Sequence, residues 1–250
     1  MCTNCGCEET GFVAVPETVS VRSALLQEND RAAAHNRAHF DRHDVVAINL
    51  MSAPGAGKTS LLESTIDALK GRYRIAVVEG DLETENDARR IRSRGVPAVQ
   101  ITTGNACHLD ASMVHSALHD IDLDGLDILF IENVGNLVCP AAFDLGQHRN
   151  VVLLSTPEGD DKPSKYPVMF RAADLVLISK ADLLPHLRDF SSARAKGYLR
   201  DIGVGAPVYA VAANVPTDLA DWLGWLEQQL TTRPAGLAEA AVRTGRGAAG

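Results

Sequence analysis

Ser52-Ala-Pro-Gly-Ala-Gly-Lys-Thr59 follows the apolar run Val45-Val-Ala-Ile-Asn-Leu-Met51 and leads into Ser60-Leu-Leu-Glu-Ser-Thr-Ile-Asp-Ala-Leu69, whose apolar residues recur at helical spacing. A strand, a glycine loop, Lys-Thr and a helix in that order form the context of a phosphate-binding loop. Backbone N–H groups of Gly55, Ala56, Gly57 and Lys58 can converge on one anion, because glycine allows the turn and the close approach. The helix from Lys58 through Thr59 and Ser60 adds free N–H groups and the positive end of its dipole. In this reading Lys58 reaches the β- and γ-phosphates and the Thr59 hydroxyl ligates Mg²⁺. Ser52 departs from the pattern, which has glycine there. An ordinary strand–helix turn is the competing reading, and the Lys-Thr pair with both flanks argues against it.

Working outward, Tyr73-Arg-Ile-Ala-Val-Val-Glu-Gly-Asp81 reads as a second strand, with Asp81 at the carboxyl end where open α/β sheets gather ligand groups. Val99–Thr103 is a third strand. The fourth is Asp127-Ile-Leu-Phe-Ile-Glu-Asn-Val-Gly135. Its Glu132 can hold Mg²⁺ or a water on it, while the Gly135 N–H senses the γ-phosphate. Lys58, Asp81 and Glu132 are the candidate catalytic groups, Asp81 joins Thr59 as a candidate Mg²⁺ ligand, and no residue is an evident general base. Strands over Asn150–Thr156, Leu175–Asp182 and Pro207–Ala212 follow. Helices are expected over Ser20–Arg42, Leu82–Arg94, His108–His119, Asp189–Ile202 and Asp218–Leu230, and the charged, proline-rich stretch Pro157–Pro167 reads as a loop. Alternating strands and helices predict an α/β fold: a doubly wound, mostly parallel sheet with helices on both faces, preceded by an N-terminal helix. Residues 1–18 read as a Cys-rich segment and linker, 19–230 as the nucleotide domain, and 231–250, rich in Ala, Gly and Arg, as a disordered tail.

Ser179-Lys180-Ala181-Asp182 is close to the guanine-reading pattern N-K-x-D. The Asp182 carboxylate can accept both the N1–H and the exocyclic amine of guanine, whereas adenine would leave it unpaired. The Lys180 stem would pack over the base, and Ala213 lies where a further base contact is expected. Ser179 replaces the carboxamide that braces this loop, so weaker affinity or base selectivity is expected.

A net charge of −8 leaves no basic footprint for nucleic acid. No apolar run approaches the about 20 residues that span a bilayer, and the N-terminus lacks a signal-peptide core, so a cytoplasmic protein is expected. Five cysteines, an odd number without secretion, point to thiolates that bind metal or do redox work. Cys2, Cys5 and Cys7, with Gly6 to turn the chain, can close on one soft ion; ligand type alone does not separate zinc from nickel. Cys107, His108 and Cys139 form a second candidate. At a helix start, adjacent residues point about 100° apart. Cys107 and His108 therefore need Cys139, and a second copy meeting at a twofold axis, to complete a site. Buried cysteines and a capping histidine are the bland alternative. His35, His39 and His43 share a helix face, but with no carboxylate or thiol evidently placed to join them a packed or solvated face is the stronger reading.

Together, Gly104-x-x-Cys107-His108-Leu-Asp110, Glu132-Asn-Val-Gly-Asn-Leu-Val-Cys139-Pro140, Glu158-Gly-Asp-Asp-Lys-Pro-x-Lys-Tyr-Pro167 and His35-Asn-Arg-Ala-His39-Phe40 resemble the HypB family of hydrogenase-maturation nickel GTPases from about Val19 to Leu230. The resemblance implies a dimerising P-loop GTPase whose slow hydrolysis of GTP to GDP times Ni²⁺ delivery to the [NiFe] hydrogenase large-subunit precursor. It implies a tight nickel site at Cys2, Cys5 and Cys7 and a weaker nickel/zinc (Ni²⁺ or Zn²⁺) site at Cys107, His108 and Cys139 on the homodimer interface. A small zinc-containing, HypA-like maturation protein is the implied partner. The His-rich storage run of some members is absent. The urease-type nickel GTPases resemble this chain too, but their metal motif is Cys-Pro-His, whereas Cys107 and His108 are adjacent. Chaperones of cobalamin-dependent mutases share the core without a reason for the N-terminal cysteines. A non-hydrolysing zinc-binding interaction protein on a degenerate nucleotide fold is the alternative from another class.

Overall fold

The computed structural model describes residues 17–83, 85–104 and 106–232, with side chains from residue 24 onward. Cys2, Cys5, Cys7 and residues 233–250 of the expected tail lie outside the described residues, whereas Thr231 and Thr232, expected in that tail, belong to the last helix. Seven strands, β1 (Val46–Ser52), β2 (Ile75–Asp81), β3 (Ala98–Thr102), β4 (Ile128–Glu132), β5 (Arg149–Ser155), β6 (Leu175–Ser179) and β7 (Val208–Val211), form one sheet in the order β3-β2-β4-β1-β5-β6-β7. Every neighbouring pair is parallel, so the expected mostly parallel sheet is wholly so. The helices are α1 (Glu17–Arg42), α2 (Lys58–Leu69), α3 (Asn86–Ser93), α4 (Ala111–Leu118), α5 (Lys162–Lys165), α6 (Pro167–Arg171), α7 (Ser192–Asp201) and α8 (Ala220–Thr232).

Alternation along the central strand explains the layering. Val46, Ile48 and Leu50 of β1 face a core built with Leu61, Leu62 and Ile66 of α2 and Trp222 and Leu226 of α8. Ala47 faces the other way, into a core with Phe40 of α1 and Val114 and Leu118 of α4. The buried Trp222 indole N–H donates to Thr65 Oγ1 at 2.8 Å, so its polar edge is satisfied. Two buried asparagines clamp α1 onto the domain. Asn29 Nδ2 donates to the Asp144 carbonyl at 2.8 Å and its Oδ1 accepts the Ala111 N–H at 2.9 Å. Asn36 Nδ2 donates to the carbonyls of Ala111 and Leu145 at 2.8 and 3.1 Å. No described helix is long and apolar enough to cross a membrane.

Several boundaries differ from the sequence expectation, and four of them have a clear local reason. The helix expected from Leu82 begins at Asn86, because Asp81 Oδ1 takes the Leu82 N–H at 2.8 Å and turns the chain after β2. The helix expected from His108 begins at Ala111. Asp110 is its N-cap and accepts the Met113 N–H at 2.8 Å, so His108 is not the cap and Cys107 and His108 sit on a loop. β6 stops at Ser179, since Lys180 takes a left-handed conformation with φ +56°. The stretch Pro157–Pro167 is not all loop: Pro163 lies in the first turn of α5 and Pro167 opens α6, where a missing N–H costs nothing.

Candidate nucleotide cleft and metal centre

β1 is central in the sheet, and its carboxyl end delivers the glycine loop into the N-terminus of α2. Gly55 and Gly57 have φ of +72° and +96°, a backbone that side chains with a Cβ rarely adopt. Lys58 and Thr59, the first helical residues, are buried. Lys58 Nζ donates to Ser52 Oγ at 3.2 Å and lies 3.9 Å from Glu132 Oε1; Thr59 Oγ1 donates to Glu132 Oε1 at 2.9 Å. Ser52 is thereby explained: its hydroxyl donates to the Ala53 carbonyl at 2.7 Å and offers its oxygen to the lysine, tethering Lys58 over the loop. Lys58, Thr59, Ser60, Asp81, Glu132 and Gly135 all line one cleft of about 440 Å³.

Two buried carboxylates floor this cleft. Glu79 of β2 and Glu132 of β4 are register partners on adjacent strands, and each has a buried Oε2 that no ordinary donor reaches. Burial raises the Glu79 carboxyl well above its usual range, and the charge and hydrogen bond of Glu132 raise it further. Burial also raises Glu132, but Lys58 and hydrogen bonds from Glu79 and Thr59 pull it back. A protonated Glu79 donating to an ionised Glu132 accounts for both orphaned oxygens. Thr59, Asp81 and ionised Glu132 are hard oxygen donors of the kind Mg²⁺ takes, so the residues present fit that ion.

A second pocket, about 450 Å³, adjoins the first and is lined by Ala56, Gly57, Ser179, Lys180, Asp182 and Ala213 among others. The Lys180 side chain runs past Gly57, its Cε 3.9 Å from where a Cβ there would stand, and so divides the two pockets. Ser179, which lacks the carboxamide, still braces this loop: its buried hydroxyl donates to the Ala56 carbonyl at 2.7 Å and ties the loop after β6 to the glycine loop. The Ala213 carbonyl accepts from Ser64 Oγ of α2. Asp182 is exposed at the pocket edge.

Cys107, His108 and Cys139 meet at the same end of the sheet. Their ligand atoms all lie within 4.8 Å of one another. Cys107 Sγ is 2.9 Å from Cys139 Sγ and 3.8 Å from His108 Nδ1, and both thiols are free. The His108 ring stacks on Phe143, centroids 3.9 Å apart. Burial lowers the His108 pKa, partly offset by Asp110, which favours the neutral, ligating imidazole. Because the two residues sit on a loop, the angular restriction expected at a helix start does not apply.

The segment Glu132–Cys139 joins cleft and thiols. A Cβ at Gly135 would fall 2.7 Å from Pro54 Cα, so this glycine lies against the phosphate loop itself. Asn133 Oδ1 accepts the Leu109 N–H at 3.2 Å, and Asn136 Nδ2 donates to the Cys107 carbonyl at 3.2 Å. Gly80, next to Asp81, packs so closely on Leu109 that a Cβ would come within 2.8 Å.

Residues 46–209 match the CobW/HypB/UreG nucleotide-binding domain family. Over 214 residues the chain is 53% identical to the hydrogenase maturation factor HypB of Azotobacter vinelandii, covering 85% of this chain and 70% of that protein. The chain belongs to the HypB family. Its fold is similar to the crystal structure of HypB from Helicobacter pylori in complex with nickel, with a TM-score of 0.77 at 44% identity over 82% of this chain and 95% of that one. It is similar also to HypB from Archaeoglobus fulgidus, with a TM-score of 0.76 at 37% identity over 82% and 100%.

Sequence reasoning passed over several residues of this HypB-family cleft. Asp87 and Arg90 of α3 reach it, as does Glu79. A carboxylate inside the apolar run Ile75–Gly80 was the available signal for Glu79, since an acidic side chain in a two-sided buried strand needs a partner.

Proposed function

We propose that this chain is a GTP-hydrolysing nickel metallochaperone that serves [NiFe] hydrogenase maturation in the cytoplasm. The observation that carries the reading is the eight-residue path Glu132–Cys139. It starts at the floor of the phosphate cleft, touches the phosphate loop at Gly135, and ends on a thiol of the Cys107–His108–Cys139 cluster.

In this reading Lys58 and the backbone of Gly55, Ala56 and Gly57 bind the β- and γ-phosphates, and Asp182, with Lys180, Ser179 and Ala213 around it, reads guanine. Mg²⁺ held by Thr59, Asp81 and Glu132 would supply charge neutralisation between the β- and γ-phosphates. A γ-phosphate beside Pro54 and Gly135 holds the Glu132–Cys139 segment in one position, and its loss frees that segment. Asn136 passes the change to Cys107. Cys139 then shifts relative to Cys107 and His108, and because ligand number and placement set metal affinity, nickel is gripped or released. With no evident general base for the attacking water, intrinsic hydrolysis is slow.

Three ligands leave the ion incomplete, and a second copy meeting face to face would supply the rest. Val138, 60% exposed beside Cys139, suits such a contact. Nickel or zinc fits the thiolate–imidazole donor set. Cys2, Cys5 and Cys7 would form the tighter nickel site, a HypA-like zinc protein the upstream or downstream partner, and the hydrogenase large-subunit precursor the client.

The test is nickel affinity at Cys107, His108 and Cys139 in a variant with Cys2, Cys5 and Cys7 changed to Ser. We expect at least about a tenfold difference (about 1.4 kcal/mol) between protein loaded with a GTP analogue and with GDP. Equal affinities would sink the coupling, and absence of phosphate release from GTP would leave the non-hydrolysing zinc-binding reading in its place.

A further inference from the structure

Away from the nucleotide cleft, five of the eight histidines in the chain line the seam between α1 and α4. His35 and His39 share one face of α1, with His43 four residues on, just past its end; His115 lies on α4, and His119, four residues on, is its C-cap. The rings form a row, although as they stand no three of them bring ligand nitrogens within 4.8 Å of one another, as Cys107, His108 and Cys139 do. Centroids are 5.0 Å apart for His43 and His39, 6.4 Å for His39 and His35, 5.0 Å for His35 and His115 across the helices, and 5.2 Å for His115 and His119. Two imidazoles on neighbouring positions of one ion, each with a metal–nitrogen bond of about 2.0–2.1 Å, place their ring centres about 5 Å apart. Histidines at i and i+4 of a helix are a known metal-ligand spacing.

Hydrogen bonding has already set the tautomers. Asn36 Nδ2 donates to two carbonyls, which fixes the amide and leaves its Oδ1 facing His115 Nδ1 at 3.2 Å. His115 Nδ1 must therefore carry the proton, and its Nε2 lone pair is free. His43 Nδ1 lies 2.8 Å from Asp124 Oδ1, with the same consequence. A ring nitrogen held this way by a carboxylate or amide is the usual support behind a metal-binding histidine. His39 Nδ1 is buried and has no hydrogen-bond partner. Burial, and then the neighbouring histidines and Arg42, lower the pKa of His39; burial and the flanking histidines lower that of His115. The shift favours the neutral ring, the form that ligates. His35 and His119 are exposed, which gives an ion a way in and leaves the side chains room to rotate.

We propose that this seam is a second transition-metal site, in which His35 and His115 bridge α1 and α4 around a borderline divalent ion such as Ni²⁺, with His39 and His119 turning in as flanking ligands. An all-imidazole donor set favours Ni²⁺, Cu²⁺ or Zn²⁺ and rejects Mg²⁺ and Ca²⁺. It is also harder than the thiolate cluster of Cys107 and Cys139, so the two sites differ in donor chemistry. The proposal stands whether or not the nickel-chaperone reading does.

The experiment titrates untagged full-length chain, with all five cysteines replaced by Ser, with NiSO₄ under equilibrium dialysis. The expected result is one Ni²⁺ retained per chain, with an X-ray absorption spectrum showing imidazole and no sulfur. His35→Gln with His115→Gln, which keep a polar group for Asn36, should weaken that binding at least about tenfold. No retained nickel, or retention that the double substitution leaves unchanged, overturns the proposal. The same His pair changed with the cysteines intact gives a reading that does not depend on the Cys-free chain folding. Total nickel stoichiometry should fall by one, and an unchanged stoichiometry rejects the site.

Discussion

The phosphate cleft and the thiol–imidazole cluster lie at the same end of the sheet but are built on opposite terms. In the cleft, Lys58, Thr59, Glu79 and Glu132 are buried, carried by strand ends and the first turn of α2, and held by bonds to one another. In the cluster, Cys107, His108 and Cys139 are half-buried and lie on loops or at the start of a short 3-10 turn. A rigid element suits a fixed ligand geometry, whereas side chains carried on loops can change their spacing. The contrast makes the segment Glu132–Cys139 informative, because one end belongs to each regime.

The largest way to break the comparison is Lys58→Ala. It removes the cation nearest the expected γ-phosphate, and GTP turnover should fall by about 10²–10³ in a phosphate-release assay. Nickel binding in the absence of nucleotide should be unchanged. Cys139→Ala tests the other side: loss of a proposed ligand should weaken metal binding at the cluster by at least about 10²-fold, since even supporting residues cost 10–100-fold. Nucleotide affinity, read by titration with a fluorescent GTP analogue, should be unaffected. If each substitution disturbed both sites equally, the division into a rigid cleft and an adjustable cluster would be wrong.

Glu79→Gln sharpens the account of the cleft. The folded chain holds a proton on Glu79 that the unfolded chain releases above the ordinary carboxylate range, so the stability of the native protein through this group falls as pH rises. Glutamine donates to Glu132 without titrating. The melting temperature of the variant relative to the natural chain should therefore climb between pH 5 and pH 8, by about 2–4 °C for each kcal/mol involved. A flat difference would mean that Glu79 is ionised. Ser179→Ala is the mildest change. It removes one hydrogen bond between the base-side and phosphate loops, about 1 kcal/mol, and should show as a several-fold loss of GDP affinity in calorimetry with the fold intact.

Much of the cleft was legible in the chain because it is local. Glycines, Lys58 and Thr59 lie within five residues of one another, and a strand before and a helix after them suffice to place the loop. Asp81 and Glu132 were legible as acidic residues at strand ends. Glu79 was not, since its meaning comes from sitting in register with Glu132 across two strands. Ser52 and Ser179 looked like defects in their motifs, because a motif records which side chain is usual and not which other hydroxyl can reach the same atom. The start of α4 was missed by three residues because Asp110, not His108, competes best for the free N–H groups.

By itself the sequence determined the alternation of strands and helices, the phosphate loop, the acidic strand ends and the identity of the thiol and imidazole candidates. All of these depend on neighbours a few residues apart. Only the tertiary structure decided that Glu79 and Glu132 are buried side by side on adjacent strands, that Cys107 and Cys139 meet 2.9 Å apart, and that His115 and His119 extend the histidine row of α1. Those facts join segments separated by tens of residues, and they follow from the parallel strand order and the asparagine clamps that seat α1 on α4, which no local pattern encodes.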